Sequence, residues 1–154
     1  LINWKDVLLN CSNKININKI NHLKNKYDLI IIDLYSNISS ELLENVVNLS
    51  NINLFISDTN LLEISKSIKL LDTYINKYKI NKNKFNILFN KYNLESIDIK
   101  LLNKIFGEFN VIGYLKYNKK YNDLINKNSK NFINNKRIRN EYLKINNLIN
   151  KKLI

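Results

Sequence analysis

An aspartate near the end of a short apolar run is the residue in this sequence best placed to do chemistry. Asp33 lies in the run Leu29–Leu34, which is too short for a helix and is typical of a strand covered on both faces of a parallel sheet. Open α/β sheets bind ligands at the carboxyl ends of their strands, where a carboxylate can hold Mg²⁺ directly or through water. An aspartate that merely caps the following loop fits the pattern equally well, so both interpretations stand at this stage.

Two other reactive side chains lack the neighbours that metal binding or nucleophilic catalysis requires. His22 stands among Asn and Lys residues with no Cys, His or acidic cluster near it in sequence, so we expect a solvated surface side chain rather than a zinc ligand. Cys11 is the single cysteine, which excludes an internal disulfide, and it has no evident base partner for nucleophilic chemistry.

Four short apolar runs predict the strands that would position functional residues: Leu29–Leu34 and residues 54–56, 85–89 and 111–115. Segments with helical spacing separate these runs, and each is long enough to cross over and return parallel. Their apolar stripes are Leu42, Val46 and Leu49; Ile64, Ile68, Leu71 and Ile75; and Ile97, Leu101 and Ile105. We therefore predict an α/β fold of three layers, with a mostly parallel sheet of about four strands and crossover helices.

Capping residues mark where these helices begin and end. Ser39 and Ser40 precede the first stripe, and the run Asp58-Thr59-Asn60 precedes the second, where side-chain oxygens can accept from unpaired backbone N–H groups. Gly107 follows the third stripe, where a helix should stop. The capping signals thus agree with the periodicity.

The two ends of the chain differ in character from its middle, although we predict a single domain over residues 1–154. Residues 1–26 form a leading segment, in which the stretch from Cys11 to Lys26 is expected to be a loop leading into a short helix. Residues 137–154 are predicted to form a terminal amphipathic helix, with Ile138, Tyr142, Ile145 and Ile149 at helical spacing. A basic amphipathic helix can lie in a membrane interface, but the same stripe also suits ordinary core packing, which we favour.

The composition narrows the class of protein. The 154 residues carry 25 Lys and Arg against 13 Asp and Glu, a net charge of +12. Asn, Lys, Ile and Tyr are abundant, there is no Pro and there are two Gly, as A/T-rich codons would produce, so we do not expect specific nucleic-acid binding.

No apolar run is long enough to span a membrane and no export signal is evident, so we expect a cytoplasmic protein. The leucine start and lack of methionine suggest a piece of a longer protein.

Several of these segments, taken in order, resemble the MinD/ParA superfamily of deviant P-loop ATPases. Tyr27-Asp28 followed by an aliphatic run and Asp33 is similar to the family's Walker B strand. The later segments that carry the resemblance are residues 54–71, 87–92, 111–118 and 124–128, so that it covers residues 27–131. The loop after Asp33 is closer to the CpaE/TadZ pilus-assembly branch than to MinD or ParA.

The resemblance implies roles for particular residues. Asp33 would be the catalytic Walker B aspartate that holds a magnesium-bound water, and Ser36 and Asn37 would lie in the switch loop that senses the γ-phosphate. Asn90 would contact the adenine through its amide. The loop that closes over the base would be formed by Lys116, Tyr117 and Asn118.

The same resemblance implies ATP and Mg²⁺ as cofactors of the parent protein, a homodimer, and protein partners in a secretion, pilus or positioning system. It also allows the terminal helix to reach the inner face of a membrane. A phosphate cradle needs glycines upstream of Asp33, and both glycines here, Gly107 and Gly113, come after it. We therefore expect this chain alone neither to hydrolyse ATP nor to bind it tightly.

Two other functions remain open. Leu115-Lys116 stands where the family has Ile-Pro, and the switch loop lacks proline and glycine, which fits a non-catalytic interaction module of the same fold. A receiver-like regulatory domain is the third hypothesis, with Asp33 as phosphoacceptor, Ser57 or Thr59 as the switch hydroxyl and Lys116 as the strand-end lysine. The additional strand at residues 85–89 counts against it, because a receiver has no strand between its hydroxyl and its lysine.

Overall fold

The computed structural model describes residues 6–11, 17–34, 39–119 and 136–153. The chain divides into two compact units, Leu1–Ser50 and Asn51–Ile154, and each is described by itself.

The first unit contains two parallel strands and two helices. Strand β1 (Asp6–Cys11) pairs with β2 (Leu29–Leu34), with helix α1 (Ile17–Lys24) between them in sequence and α2 (Ser40–Leu49) after them. The short helix α1 lies where the sequence analysis expects one. Strand β1 is not among the predicted strands, because its three consecutive apolar residues are too few to stand out from the polar segment around them.

Helix α2 begins where the serines predict and buries one face. The Ser39 hydroxyl accepts a hydrogen bond from the Leu42 backbone N–H (3.3 Å), which satisfies one of the free donors of the first turn. Leu42 and Val46 pack with Ile20 of α1, and Ile32 and Leu34 of β2 lie against this cluster. The predicted stripe is thus confirmed at Leu42 and Val46, while Leu49 is only half-buried.

The second unit is built on a three-stranded parallel sheet of β3 (Asn53–Asp58), β4 (Phe85–Tyr92) and β5 (Asn110–Lys116), in that order. Helix α3 (Leu61–Asp72) follows β3 and passes into a π-helical turn, Thr73–Lys77, and a short 3-10 turn, Lys82–Lys84, leads into β4. Helix α4 (Ile99–Ile105) connects β4 to β5, and α5 (Lys136–Leu153) ends the chain. Asn60 caps α3 by accepting from the Glu63 N–H (2.9 Å).

The core of this unit forms around the central strand, β4, whose residues 85–89 are all buried. Phe89 stacks on Tyr114 of β5 and meets Phe106 edge-on, with ring centroids 5.2 and 5.1 Å away. Its neighbour Leu88 points to the opposite face, where it packs with Leu115 and with Ile145 of α5. Both faces of the sheet are therefore covered along its middle.

The α/β class and the parallel pairing agree with prediction, but the single sheet of about four strands is found only in part. The four predicted runs are strands β2 to β5. Of these, β3, β4 and β5 form one sheet, while β2 pairs with β1 in a two-stranded sheet of the first unit. Apolar runs predict strands, but they do not predict which strands will be neighbours.

The predicted stripe of α4 is wrong about which residues are buried, and the predicted stripe of α3 is confirmed only at Ile64 and Leu71. In α4 the buried residues are Leu102 and then Phe106, at 0% and 1% exposure, whereas Leu101 is 49% and Ile105 is 38% exposed. In α3 the buried face carries Ile64, Ser67 and Leu71 and continues to Tyr74, leaving Ile68 exposed. The chain has so many apolar residues that more than one helical stripe can be drawn, and contact with the sheet selects one of them.

Gly107 lies just beyond the end of α4, as the sequence predicts. A glycine is required there because a side chain would not fit, and not because the backbone is left-handed. No glycine in the described chain has positive φ. A Cβ at Gly107 would lie 2.9 Å from the Asn103 carbonyl oxygen, closer than a real Cβ can approach.

In α5, Ile145 and Ile149 pack on the sheet, Tyr142 is exposed, and the side chain of Ile138 lies outside the described residues.

Replacing Lys79 with glycine should stabilise the protein. Lys79 follows the π-helical turn with φ 57°, and the next residue closes the turn by donating from Ile80 N–H to the Tyr74 carbonyl (3.0 Å). A left-handed backbone costs an L-residue ~1–2 kcal/mol, and glycine avoids this while losing ~0.5–1 kcal/mol more in chain entropy. We expect Lys79→Gly to raise the unfolding free energy by up to ~1 kcal/mol in urea unfolding followed by circular dichroism.

Lys69→Gly is the matched control, because Lys69 is an exposed residue of regular α3. It should lower the unfolding free energy by ~1 kcal/mol. A loss of stability in both variants would contradict the role assigned to the left-handed position.

Candidate functional site at the carboxyl edge of the sheet

Three of the predicted site residues lie at one edge of the second unit. Because β3, β4 and β5 run parallel, their carboxyl ends lie on the same side of the sheet. Asn90 of β4 is opposite Asp58 of β3, and Lys116 of β5 is opposite Tyr92 of β4. The Tyr117 N–H continues the ladder by donating to the Tyr92 carbonyl (2.8 Å). All three residues therefore lie near the carboxyl edge, but the side chains of Asn90, which directly follows Phe89, and of Lys116, which is two residues after Tyr114, project from opposite faces of the sheet.

These side chains are accessible to a ligand to different degrees. Asn90 and Asn118 are half-buried, whereas Lys116 is exposed and Tyr117 is 45% exposed. An amide that is partly enclosed can discriminate by hydrogen bonding, while an exposed aromatic ring and an ammonium can cover or attract a planar, anionic ligand. The edge thus combines hydrogen-bonding, aromatic and cationic groups.

A β-bulge shapes this edge. Between the paired positions Phe89–Tyr114 and Tyr92–Lys116, β4 has two residues, Asn90 and Lys91, where β5 has one. Lys91 takes up the extra length with φ 55°, in the left-handed region that non-glycine residues rarely adopt. Its ammonium donates to the Asp58 carboxylate, with Nζ and Oδ2 2.6 Å apart. The carboxyl ends of β3 and β4 are consequently linked by an ion pair.

A buried hydroxyl fixes the loop that follows β4. Thr59 is 1% exposed, and its hydroxyl hydrogen-bonds to the Ser96 hydroxyl (2.6 Å) and donates to the Lys91 carbonyl (3.4 Å). The Ile97 N–H returns a bond to the Thr59 carbonyl (3.1 Å). We call Thr59, Ser96 and the Lys91 carbonyl the polar clamp. The polar clamp holds the segment that follows β3 against the segment that follows β4.

The hydroxyls that the receiver hypothesis needs are engaged inside the protein. Ser57 is buried and bonds to the Ser67 hydroxyl of α3 (2.7 Å), while Thr59 belongs to the polar clamp. Strand β4 also separates β3 from β5 within the sheet, as it does in the sequence. The hydrogen bonds favour structural roles for Ser57 and Thr59, and the strand order differs from the one that a receiver requires.

Asp33 lies in the first unit, one residue before the end of β2 and opposite Asn10 of β1. Its side chain is exposed. The predicted switch-loop residues Ser36 and Asn37 lie outside the described residues. The structure thus places Asp33 near the carboxyl end of a parallel strand, as its sequence context predicts.

A single exposed carboxylate suits only certain metals. Within the described ranges, no group of three or more His, Cys, Asp or Glu side chains could hold a metal ion. Mg²⁺ fits Asp33 because it keeps several waters and is commonly bound by one or two carboxylates together with substrate phosphates.

Burial changes the pKa of Tyr114, an aromatic residue of β5 beneath the carboxyl edge. Desolvation raises the pKa of Tyr114 above its usual value, and neighbouring Tyr92 raises it further. Tyr114 therefore stays neutral and donates its hydroxyl hydrogen to Asn103 Oδ1 (2.6 Å). Elsewhere, burial and then Tyr78 raise the pKa of Tyr74, and the hydrogen bond from Lys82 lowers that of Glu108.

The sequence analysis selected Asn90 and Lys116 as candidate site residues, but it did not predict the ion pair between Asp58 and Lys91. It treated Asp58 as a capping residue, whereas Asn60 performs the capping. The two partners are 33 positions apart, and only the parallel register of β3 and β4 brings them together. An acidic residue and a lysine at the ends of successive strands were the available signal.

Comparison with known proteins does not assign the chain to a family: no protein-family model, curated protein or solved structure matches it. Among the helices the structure describes, none is both long and apolar enough to cross a membrane.

Disrupting the polar clamp should destabilise the protein. Thr59→Val keeps the shape of the side chain but removes its buried hydroxyl, so that the Lys91 carbonyl loses its bond from Thr59 and the half-buried Ser96 hydroxyl keeps only its bonds to Asn93. Such a loss costs ~1–3 kcal/mol. The unfolding free energy from urea denaturation should fall by that amount.

Thr73→Val is the comparison, since the Thr73 hydroxyl bonds to the Lys69 carbonyl at an exposed position of the helix (2.8 Å). It should change the unfolding free energy by less than ~0.5 kcal/mol. Equal effects of the two substitutions would show that the clamp adds nothing beyond an ordinary surface hydrogen bond.

Proposed function

We propose that this chain is the back half of a MinD/ParA-like ATPase, nearest to the CpaE/TadZ branch, in which ATP switches a positioning, partition or pilus-assembly protein. The supporting observation is that Asn90, Lys116 and Tyr117 all lie near the carboxyl ends of the strands of a parallel α/β sheet. These residues belong to the segments that carry the resemblance: Asn90 lies near the end of β4, Lys116 is the last residue of β5, and Tyr117 follows it. The proposal takes the α/β architecture as part of a Rossmann-like P-loop fold with about four strands.

Each residue has a defined task in this proposal. The amide of Asn90 hydrogen-bonds the adenine, and Lys116, Tyr117 and Asn118 close over the base. Asp33 accepts hydrogen bonds from a magnesium-bound water, which orients the metal, and Ser36 and Asn37 respond to the γ-phosphate. Magnesium, when bound, neutralises charge on the phosphates during transfer.

The proposal divides the nucleotide site between this chain and a region that supplies the phosphate loop. Both glycines of this chain follow Asp33 in sequence, so the given 154 residues do not themselves contain a glycine-rich loop before the Walker B-type strand. Hydrolysis therefore requires the parent protein, with ATP and Mg²⁺ as its cofactors and a homodimer as its active form. In the cell we place it in the cytoplasm, with its amphipathic last helix able to lie against the inner face of the membrane.

A non-catalytic interaction module is the second candidate, and three exposed leucines on the connections that follow β3 and β4 favour it. Leu61 and Leu62 in the first turn of α3 are 74% and 64% exposed, and Leu94 in the turn after β4 is fully exposed. The hydrogen bond from Ile97 N–H to the Thr59 carbonyl joins these two connections. Large apolar side chains held on fixed turns are typical of protein-binding surfaces.

Nucleotide binding separates the two candidates. We would titrate ATP and ADP with Mg²⁺ by calorimetry into this chain and into a longer protein that includes the preceding region. If the ATPase proposal is right, the longer protein binds, Asp33→Ala removes magnesium-dependent binding, and Asn90→Ala weakens it about tenfold or more through loss of a buried hydrogen bond.

Glu44→Gln and Asn146→Ala are suitable controls, because both residues are exposed helix positions away from the strand ends. They should leave the dissociation constants within about twofold. A well-folded longer protein that binds neither nucleotide would overturn the ATPase proposal in favour of the interaction module.

A further inference from the structure

The two edge strands of the second unit's sheet differ in how well they are protected from pairing with another chain. The register of β5 with β4 shifts at two positions, and the exposed side chains of β5 are those of Asn110 and Lys116. Bulges and edge lysines are among the features by which natural proteins prevent a further strand from adding. β3 shows neither feature. It pairs with β4 in one unbroken register over six residues, and its sequence contains no Pro and no Lys.

β3 also exposes large apolar side chains. Leu54 and Ile56 are 39% and 59% exposed. Both lie on the sheet face that carries Leu88, because Ile56 is directly opposite Leu88 in the ladder and side chains alternate along a strand. On that face Ile145 of α5 packs with Leu88 and Leu115, which belong to β4 and β5. Helix α5 therefore covers the middle of the face and leaves the side chains of β3 exposed.

The free edge of β3 specifies what can cover it. No strand among the described residues pairs with β3 on the side away from β4. On the free side of an edge strand, backbone N–H and C=O groups point outward, and only another extended strand can pair with the whole row. The occupant that fits this edge is therefore a β-strand.

The sequence of β3 is suited to pairing with a second copy of itself. An antiparallel pair of β3 strands related by a two-fold axis at Phe55 places Leu54 of each copy directly opposite Ile56 of the other. It also places the two Phe55 residues opposite each other, so that the three central positions all make apolar cross-strand pairs. Moving the axis to Ile56 would instead set Leu54 opposite Asp58. The side chains thus select one register.

Charge also favours a contact through β3. The chain carries a net charge of +12, so two copies repel each other unless they meet where cations are few. In the second unit, every Lys and Arg comes after Ser65 in sequence, and Lys91, whose ammonium reaches the end of β3, is paired with Asp58 there. The other edge strand ends on the exposed Lys116. Of the two edges, β3 is the one at which a second copy meets less repulsion.

We propose that β3 is a self-association surface, at which two copies of this chain join their three-stranded sheets edge to edge into one continuous sheet. Leu54 and Ile56 of both copies then form one apolar strip beside Leu88. This surface has no part in the proposed function and needs no nucleotide, so the failure of either proposal leaves the other standing. A six-residue strand makes a small contact, and we therefore expect a weak dimer that forms as the concentration rises.

Sedimentation velocity of the 154-residue chain without nucleotide, over a range of concentrations, measures the dissociation constant of the dimer. Ile56→Lys places an ammonium in the apolar strip and should weaken dimerisation about tenfold or more. Leu101→Lys is the matched control, because it adds the same charge at a 49% exposed position of α4, and it should leave the constant within about twofold. Both substitutions are at exposed positions, and circular dichroism verifies that the variants are folded.

Two outcomes of this measurement would overturn the proposal. One is a chain that stays monomeric up to millimolar concentrations. The other is a dimer that Ile56→Lys and Leu101→Lys weaken equally, because such a dimer would form through another surface or respond only to the net charge.

A mixture of two variants tests the register. Leu54→Glu alone should also weaken dimerisation, because it sets a carboxylate opposite Ile56. Mixed with Ile56→Lys, it brings that carboxylate directly opposite the new ammonium, so the mixed dimer should be about fivefold or more tighter than the dimer of either variant alone. Leu54→Glu mixed with Leu101→Lys should form no mixed dimer tighter than that of Leu101→Lys alone. If the first mixture shows no gain, the antiparallel pairing of β3 is wrong.

Discussion

The parallel pairing of β4 between β3 and β5 is the constraint on which the second unit depends. It places five consecutive residues of β4 in the core and directs Leu88 and Phe89 to opposite faces. The helical segments then have to cover both faces, and they do so with Ile145 on one side and Phe106 on the other. The same pairing brings the ends of three strands to a common edge, so the core and the candidate site have one cause.

Polar contacts at that edge replace the regular ladder where it breaks. The bulge at Asn90 and Lys91 interrupts the pairing with β5, and the Lys91 carbonyl finds a partner in the buried Thr59 hydroxyl. In the described part of the chain, no buried side-chain nitrogen or oxygen is left without a hydrogen bond. The bond from Thr59 thus gives the Lys91 carbonyl a partner at the position where the ladder is interrupted.

Two kinds of side chain lie near the carboxyl edge or on the connections that leave it. Asn90, Lys91, Lys116 and Tyr117 are polar groups near the strand ends, whereas Leu61, Leu62 and Leu94 are exposed apolar side chains in the first turn of α3 and in the turn after β4. The polar clamp connects the segments that carry both sets.

The sequence by itself determined the α/β class, the positions of strands β2 to β5 and the starts of helices α2 and α3. Continuous β-branched runs have few alternatives to a buried strand, and Ser39 and Asn60 act within one turn of their own helices. Only the tertiary structure decided that β1 pairs with β2, that α4 buries Leu102 instead of Leu101, and that Lys91 meets Asp58. These features arise from contacts between residues far apart in the chain, and such contacts depend on strand register and helix rotation, which local periodicity does not specify.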